Sequence, residues 1–197
     1  MKKSSIGIIV VLVLILLLGG CGCNSYNSLV TGNQNVQKAW SNVETNYQRR
    51  TDLYNSVVKT IQGSANFEKS TLQSVIEARA KATSVQVNIN DSNTLAQYQA
   101  AQGQLQSAFG RLMAVAEAYP DLKTTKAFQD FQTQIEGTEN RINVARRDYN
   151  DAVSTYNNQV LHFPNNIFAG LFHFQSKAYY KADIGSEKAP DINFDIK

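Results

Sequence analysis

The sequence has little of the chemistry that enzymes, metalloproteins and disulfide-rich domains use. It contains two cysteines, two histidines and three prolines in 197 residues. Cys21 and Cys23 stand together beside an apolar N-terminal run, so there is no disulfide framework and no Cys/His cluster with zinc spacing. No glycine-rich phosphate loop, paired-carboxylate motif or catalytic triad signature is present. We therefore expect a non-enzymatic protein without catalytic residues, cofactor or metal.

A large excess of charge of one sign is also absent. Lysine and arginine total 19 against 16 acidic residues, and the formal net charge of +3 is too small and dispersed to predict a nucleic-acid partner.

The length is enough for one domain with its own core and an appended segment. Scarce proline and abundant Asn, Gln and Ala favour long helices with solvated outer faces over strands.

A run of apolar residues near the N-terminus indicates a membrane anchor. The run from Ile6 to Leu18 has thirteen residues and follows Lys2 and Lys3. Its length falls between a secretory signal core of roughly 7 to 15 residues and a membrane-spanning helix of about 20 residues. A span requires the whole stretch from Ser4 to Cys23, including its serines, glycines and cysteines.

The residues that follow the run leave two kinds of anchor open. Leu18-Gly19-Gly20-Cys21 resembles the cleavage and acylation site of bacterial lipoproteins, which makes Cys21 a lipidation candidate, and an uncleaved single span is the equal alternative. Lys2 and Lys3 keep the N-terminus in the cytoplasm, which predicts that the rest of the chain lies outside it. We interpret residues 1–23 as the signal or anchor segment, 24–176 as a helical domain and 177–197 as an irregular tail.

Beyond the anchor, apolar residues return every three or four positions, as on one face of a helix. This spacing predicts one very long first helix from Tyr26 to Asn88, with Gly63-Ser64 as the one place where it could kink. A cluster of turn-forming residues then interrupts the pattern, and Asp91, Ser92 or Asn93 could cap a second helix.

Two prolines mark the later boundaries. The second helix should end near Tyr119-Pro120, and a third long helix should end near Phe163-Pro164, because the residue before proline is disfavoured in helical conformation. Residues 165–174 could form a short fourth helix. The predicted fold is all-α, an elongated antiparallel up-and-down helical bundle of three long helices plus a short fourth, after an N-terminal membrane segment.

Short motifs spread in order over nearly the whole chain resemble the LemA family. They include Tyr26–Val30, Ala39–Glu44, Gln48–Leu53, Tyr119–Lys123 and Ala145–Asn150. The resemblance implies a bacterial protein with an N-terminal membrane segment and a helical bundle, and it implies no catalytic residues. An association of some relatives with membrane proteolysis and protein quality control favours an adaptor role. The family usually has a Leu-Ile-Pro-Asn run where this chain reads Leu53-Tyr54-Asn55-Ser56, so a proline kink is missing here.

Two sets of residues are the best candidates for contacts with a partner or ligand. The charged candidates are Glu44, Arg49, Arg50, Arg146 and Arg147, and the aromatic candidates are Trp40 and Tyr149. Guanidinium groups bind carboxylates and other anions bidentately, but inter-helix ion pairing is the preferred explanation for this set. Aromatic residues dominate protein interfaces, but on an apolar stripe they more often belong to the core.

The sequence thus favours a membrane-anchored, non-enzymatic scaffold or adaptor of the cell envelope that binds a protein partner. The alternative is a domain that binds a small ligand or an envelope polymer through an arginine-rich patch between the first and third helices.

Overall fold

All regular secondary structure in the computed structural model, which describes residues 3–62 and 68–181, is helical. The helices are α1 (Lys3–Gln62), α2 (Lys69–Ser84), α3 (Ser92–Ala116), α4 (Pro120–Lys123), α5 (Lys126–Leu161) and α6 (Asn165–Leu171). The predicted all-α class is confirmed, while the helices differ in number and extent from those predicted.

The predicted first helix, Tyr26 to Asn88, is wrong at both ends. The helix α1 already begins at Lys3 and ends at Gln62, and α2 is a separate helix. Glu68, directly before α2, has extended backbone angles (φ −65°, ψ 114°), so a helix cannot run through it. The predicted kink at Gly63-Ser64 lies outside the described residues.

The predicted cap of the next helix is confirmed. The Asp91 carboxylate accepts a hydrogen bond from the Asn93 backbone N–H at 2.8 Å, which satisfies a donor that the first turn of α3 leaves open. The predicted third helix is α5, which ends at Leu161, near Phe163-Pro164 as predicted, and an additional single turn, α4, precedes it. Pro120 starts the single turn α4, and the Thr125 hydroxyl then donates to Leu122 O at 2.7 Å and accepts from Phe128 N at 3.4 Å. These bonds end α4 and begin α5.

The N-terminal membrane segment of the predicted fold is not supported by the structure. Within residues 3–62 and 68–181, no helix is both long enough and apolar enough to cross a membrane.

The chain divides into two compact units. Unit 1 contains Met1–Arg50 and Glu136–Tyr179, and unit 2 contains Thr51–Ile135 and Tyr180–Lys197. In unit 1, α1 and α5 run antiparallel, because contacts that move forward along α1 move backward along α5. Gly32 lies against Gln159, Trp40 against Tyr149 and Arg50 against Glu139.

Unit 2 has a predominantly aliphatic core. The Tyr54 ring of α1 stacks on Phe109 of α3 with 3.6 Å between centroids and 2° between planes, and α2 packs against α3. The buried cluster consists of Tyr54, Val57, Val58, Ile61, Leu72, Val75, Ala82, Ala101, Leu105, Phe109, Leu112, Ala116, Leu122 and Phe128. These positions are mostly three or four residues apart, as the apolar spacing predicts.

Candidate functional site

Arg50 is the one charged candidate that the structure places inside unit 1. Its side chain is 2 % exposed, and its Nη1 lies 3.4 Å from Glu139 Oε1. The guanidinium carbon also lies 4.7 Å from the centroid of the Tyr47 ring, a cation–π distance. These contacts support the ion-pair explanation for Arg50, because a buried guanidinium must be paired to offset its lost hydration.

The other charged candidates lie nearer the solvent. Glu44, Arg49 and Arg147 are exposed, and Arg146 is half-buried and already has an interaction within the protein. The structure therefore brings Arg50 and Glu139 together, whereas Arg49 and Arg147 keep exposed guanidinium groups.

The two aromatic candidates belong to the core of unit 1. Trp40 is 6 % exposed and Tyr149 is fully buried, and their rings meet edge to face with centroids 5.3 Å apart. The Tyr149 hydroxyl donates to Ala178 O at 2.8 Å. Burial raises the pKa of the Tyr149 phenol well above its ordinary value. Neither ring lies where a partner could contact it directly.

The chain after α6 is fastened to α5 by side-chain hydrogen bonds. The Asn157 amide donates to Lys177 O at 3.0 Å and accepts from Lys177 N at 2.8 Å. The Lys177 ammonium lies 5.6 Å from the centroid of the Tyr156 ring, and burial lowers the pKa of Lys177. Residues 174–181 have no regular secondary structure, and the remainder of the predicted irregular tail lies outside the described residues.

Sequence reasoning missed a polar groove between α1 and α5 in unit 1. It has a volume of about 490 Å³. Most of its lining side chains carry amides or hydroxyls, and Asp151 is its only ionisable carboxylate. The lining residues are Asn24, Asn27, Ser28, Thr31, Gly32, Asn35, Asp151, Ala152, Thr155, Tyr156 and Gln159. The signal in the sequence was a row of small polar residues at helical spacing from Asn24 to Asn35.

Glycine sets the depth of this groove. A Cβ atom added at Gly32 would clash with Gln159 Oε1 and would lie 3.0 Å from Tyr156 Cδ2. The two helices approach this closely because position 32 has no side chain. Gln159 Oε1 is itself buried and accepts no hydrogen bond from the described residues. Because this oxygen is buried against Gly32, a bound molecule does not reach it unless the Gln159 side chain moves.

Residues that could hold a metal or act as nucleophiles are sparse. Within residues 3–62 and 68–181, no group of three or more His, Cys, Asp or Glu side chains could hold a metal ion. Cys23 is exposed and free, and the side chain of the lipidation candidate Cys21 lies outside what the structure describes. The geometry of the groove suits hydrogen bonding to a polar, uncharged surface such as a peptide backbone.

The sequence profile of the LemA family matches residues 39–194. The chain belongs to the LemA family. The resemblance carried by its short motifs is thereby confirmed, and the match includes α2 to α6 together with the part of α1 from Ala39 onward.

The named relatives are 26% to 29% identical to the chain over the aligned segments. Magnetosome protein MamQ 2 of Paramagnetospirillum magneticum is 29% identical over 175 residues, which cover 79% of this chain and 64% of the relative. Protein LemA of Metamycoplasma hominis is 27% identical over 156 residues, covering 79% of this chain and 68% of the relative. Magnetosome protein MamQ of Magnetospirillum gryphiswaldense is 26% identical. The chain spans less than two thirds of the MamQ relatives.

Proposed function

We propose that this LemA-family protein is a non-enzymatic scaffold or adaptor, anchored to the membrane of a bacterial envelope, that holds a protein partner outside the cytoplasm. The observation that carries the proposal is the groove between α1 and α5. Its amides and hydroxyls offer both donors and acceptors. A peptide backbone offers the complementary groups at regular spacing.

The proposed anchor is the N-terminal part of α1. The apolar run from Ile6 to Leu18 can hold the chain either as an uncleaved segment or through cleavage and lipid attachment at Cys21. Lys2 and Lys3 favour an N-terminus in the cytoplasm and a helical domain outside it. The names of the relatives refer to magnetosomes or to the family and state no reaction, which agrees with a role in holding other proteins.

The alternative, an anion-binding patch of arginines, has less support. Arg50 is already paired with Glu139 and lies over Tyr47. Only the other arginines of the patch could therefore bind a ligand. Replacing Arg49 and Arg147 with alanine tests it directly, because both side chains are exposed and the fold should tolerate their loss.

Photo-crosslinking in intact cells tests the adaptor role. A photoreactive amino acid is placed at Asn27, Thr31 or Thr155 in the groove, and mass spectrometry identifies the adducts. Gln34 and Gln37 are matched controls, because they are exposed on α1 but do not line the groove. We expect the same partner from the groove positions and none from the controls. Absence of a reproducible partner, or equal yields from both sets, would contradict the proposal.

The anchor is tested by the intact mass of the protein extracted from membranes. A chain that starts at Cys21 and carries acyl groups identifies a lipoprotein, and the full-length mass identifies an uncleaved anchor. Recovery of the protein outside the membrane fraction would disprove anchoring of either kind.

A further inference from the structure

Unit 1 exposes a cluster of large apolar side chains where α5 gives way to α6. Five of them are between 46% and 79% exposed: Leu161, Phe163, Ile167, Leu171 and Phe172. We call this cluster the α6 patch. Single exposed apolar residues are common on soluble surfaces, but a group within twelve residues of sequence normally marks a surface that something else covers.

The α6 patch lies beside the end of the apolar run of α1. The Phe168 ring of α6 rests against the α1 backbone, since a Cβ atom added at Gly22 would lie 3.1 Å from Phe168 Cε1. One turn further along α1, Tyr26 meets the Phe172 ring edge to face, with centroids 5.0 Å apart. Gly22 follows Leu18 by four residues, a rise of about 6 Å.

The run itself also exposes apolar side chains. Leu12, Val13 and Leu16 are 55%, 48% and 75% exposed. They lie on the part of α1 that precedes the contact with Phe168. One helix therefore carries the exposed apolar run and also positions the α6 patch at its end.

The charge of this region suits an anionic surface. No aspartate or glutamate occurs between Ala152 and Tyr179, whereas Lys177 follows the α6 patch in unit 1. From Ser4 to Gln37 the chain has no charged residue at all. The anionic headgroups of a bilayer would therefore face no aspartate or glutamate from this segment, and a lysine near the membrane surface would be attracted to them.

We propose that the α6 patch inserts into the headgroup region of the bilayer as an interfacial element beside the anchor. Short apolar segments that carry aromatic residues bind at this depth, and tyrosines such as Tyr26 are enriched there. The inference rests on the membrane anchoring proposed above and holds for either anchor. In an uncleaved chain the α6 patch adjoins the end of the inserted run, and in a lipoprotein it adjoins the acylated Cys21, next to Gly22.

Tryptophan quenching by brominated phosphatidylcholine tests the depth of the α6 patch. The full chain is reconstituted into vesicles of brominated phosphatidylcholine and phosphatidylglycerol, with Phe163→Trp or Phe172→Trp. Val144→Trp is the matched control, because Val144 is an exposed apolar residue of α5, about 25 Å along that helix from Leu161. Trp40 is buried and common to all variants, so it supplies a constant background.

We expect the emission that Phe163→Trp and Phe172→Trp add to be mostly lost in the brominated vesicles, and the emission added by Val144→Trp to be retained. If the chain floats with the vesicles but no added tryptophan is quenched, the α6 patch faces water or a protein partner, and the inference fails while anchoring stands. Quenching at all three positions would place α5 in the bilayer and would also overturn it. If the chain does not float, anchoring and inference fail together.

Discussion

The two units bury different kinds of side chain. Unit 2 is built around an aliphatic cluster with one stacked aromatic pair, Tyr54 on Phe109. Among the described residues, unit 1 buries more polar side chains than unit 2: Ser25, Arg50, Thr138 and Asn157 against Thr51 and Gln102. Burial of apolar side chains stabilises unit 2, and this hydrophobic contribution does not depend on the orientation of the individual groups. Unit 1 depends in addition on pairs with fixed geometry, because an unpaired buried polar group is destabilising.

The surfaces that we propose for binding belong to unit 1. The groove lies on α1 and α5, and the α6 patch extends from the end of α5 to the residue after α6, all within unit 1. The comparison therefore contrasts a unit without a proposed binding surface and a unit that has two of them and more buried polar side chains. Substitutions in the core of one unit, compared with substitutions in the core of the other, test whether the two units are stabilised in different ways.

The largest effect is expected from a cavity in unit 2. Leu105→Ala removes a fully buried side chain from the aliphatic cluster and should lower the free energy of unfolding by about 3 kcal/mol, through lost burial and an unfilled cavity. Urea titration followed by circular dichroism measures the change. Gln104→Ala, at an exposed position next to it, should change the value by less than about 0.5 kcal/mol. Equal losses in both variants would show that the cluster is not the main stabilising element.

In unit 1 the corresponding substitution removes hydrogen bonds of a buried polar side chain. Asn157→Ala deletes both hydrogen bonds to the Lys177 backbone and leaves a donor and an acceptor unpaired, so we expect a loss of about 2 kcal/mol. Hydrogen exchange should speed up at the Lys177 amide. Asn158→Ala is the matched control on the exposed side of the same turn. Unchanged exchange at Lys177 in Asn157→Ala would contradict the role assigned to these bonds.

Alkaline pH should destabilise unit 1 through its buried phenols. Burial raises the pKa of Tyr149 and of Tyr156, so folding keeps these groups neutral where the unfolded chain ionises them. Their contribution is fully present below the unfolded pKa of about 10 and is lost as the pH rises above it. Urea titrations across that range should show a smaller decline for Tyr149→Phe than for the natural chain. The same decline in both would assign the effect to other groups.

The smallest effects are expected at two helical glycines. Substitution by alanine should stabilise the chain at one of them and destabilise it at the other. Gly103→Ala in α3 meets no atom within 4 Å and should stabilise the chain by about 0.5 to 1 kcal/mol, because alanine favours helix. Gly32→Ala gains the same preference but meets Gln159 and Tyr156, so the net change should be a loss of about 1 kcal/mol. Thermal unfolding measures both. A stabilising Gly32→Ala would mean that the helices can separate without cost.

Helical periodicity and capping chemistry were enough to predict much of the fold. The apolar spacing gave the all-α class, and the side chain of Asp91 caps α3 as its position before Ser92 and Asn93 suggested. The sequence marked Gly63-Ser64 as the one place where the first helix could kink, but it did not predict that α1 ends at Gln62 and that α2 is a separate helix, because apolar residues continue at helical spacing on both sides. The break between α4 and α5 depends on hydrogen bonds of Thr125, and a threonine with this sequence context can also lie within a helix.

The candidate site was harder to predict than the fold. The arginine and aromatic candidates were chosen by residue type, but residue type does not say which side of a helix faces a neighbour. Arg50 and Tyr149 proved to be buried, whereas Arg49, next to Arg50, is exposed. The groove was missed because its residues are individually ordinary. It exists only because α1 and α5 bring two polar faces together around a residue without a side chain.

That residue gives a way to compare relatives whose sequences can be aligned over α1, a comparison that must reach beyond the family profile, which begins at residue 39. The close approach to Gln159 and Tyr156 depends on glycine at position 32 of α1. A relative with alanine or a larger residue at the position of Gly32 must either fill this part of the groove or hold its helices further apart. One letter in such an alignment would thus separate relatives that keep this space from relatives that fill it, before any of their structures is known.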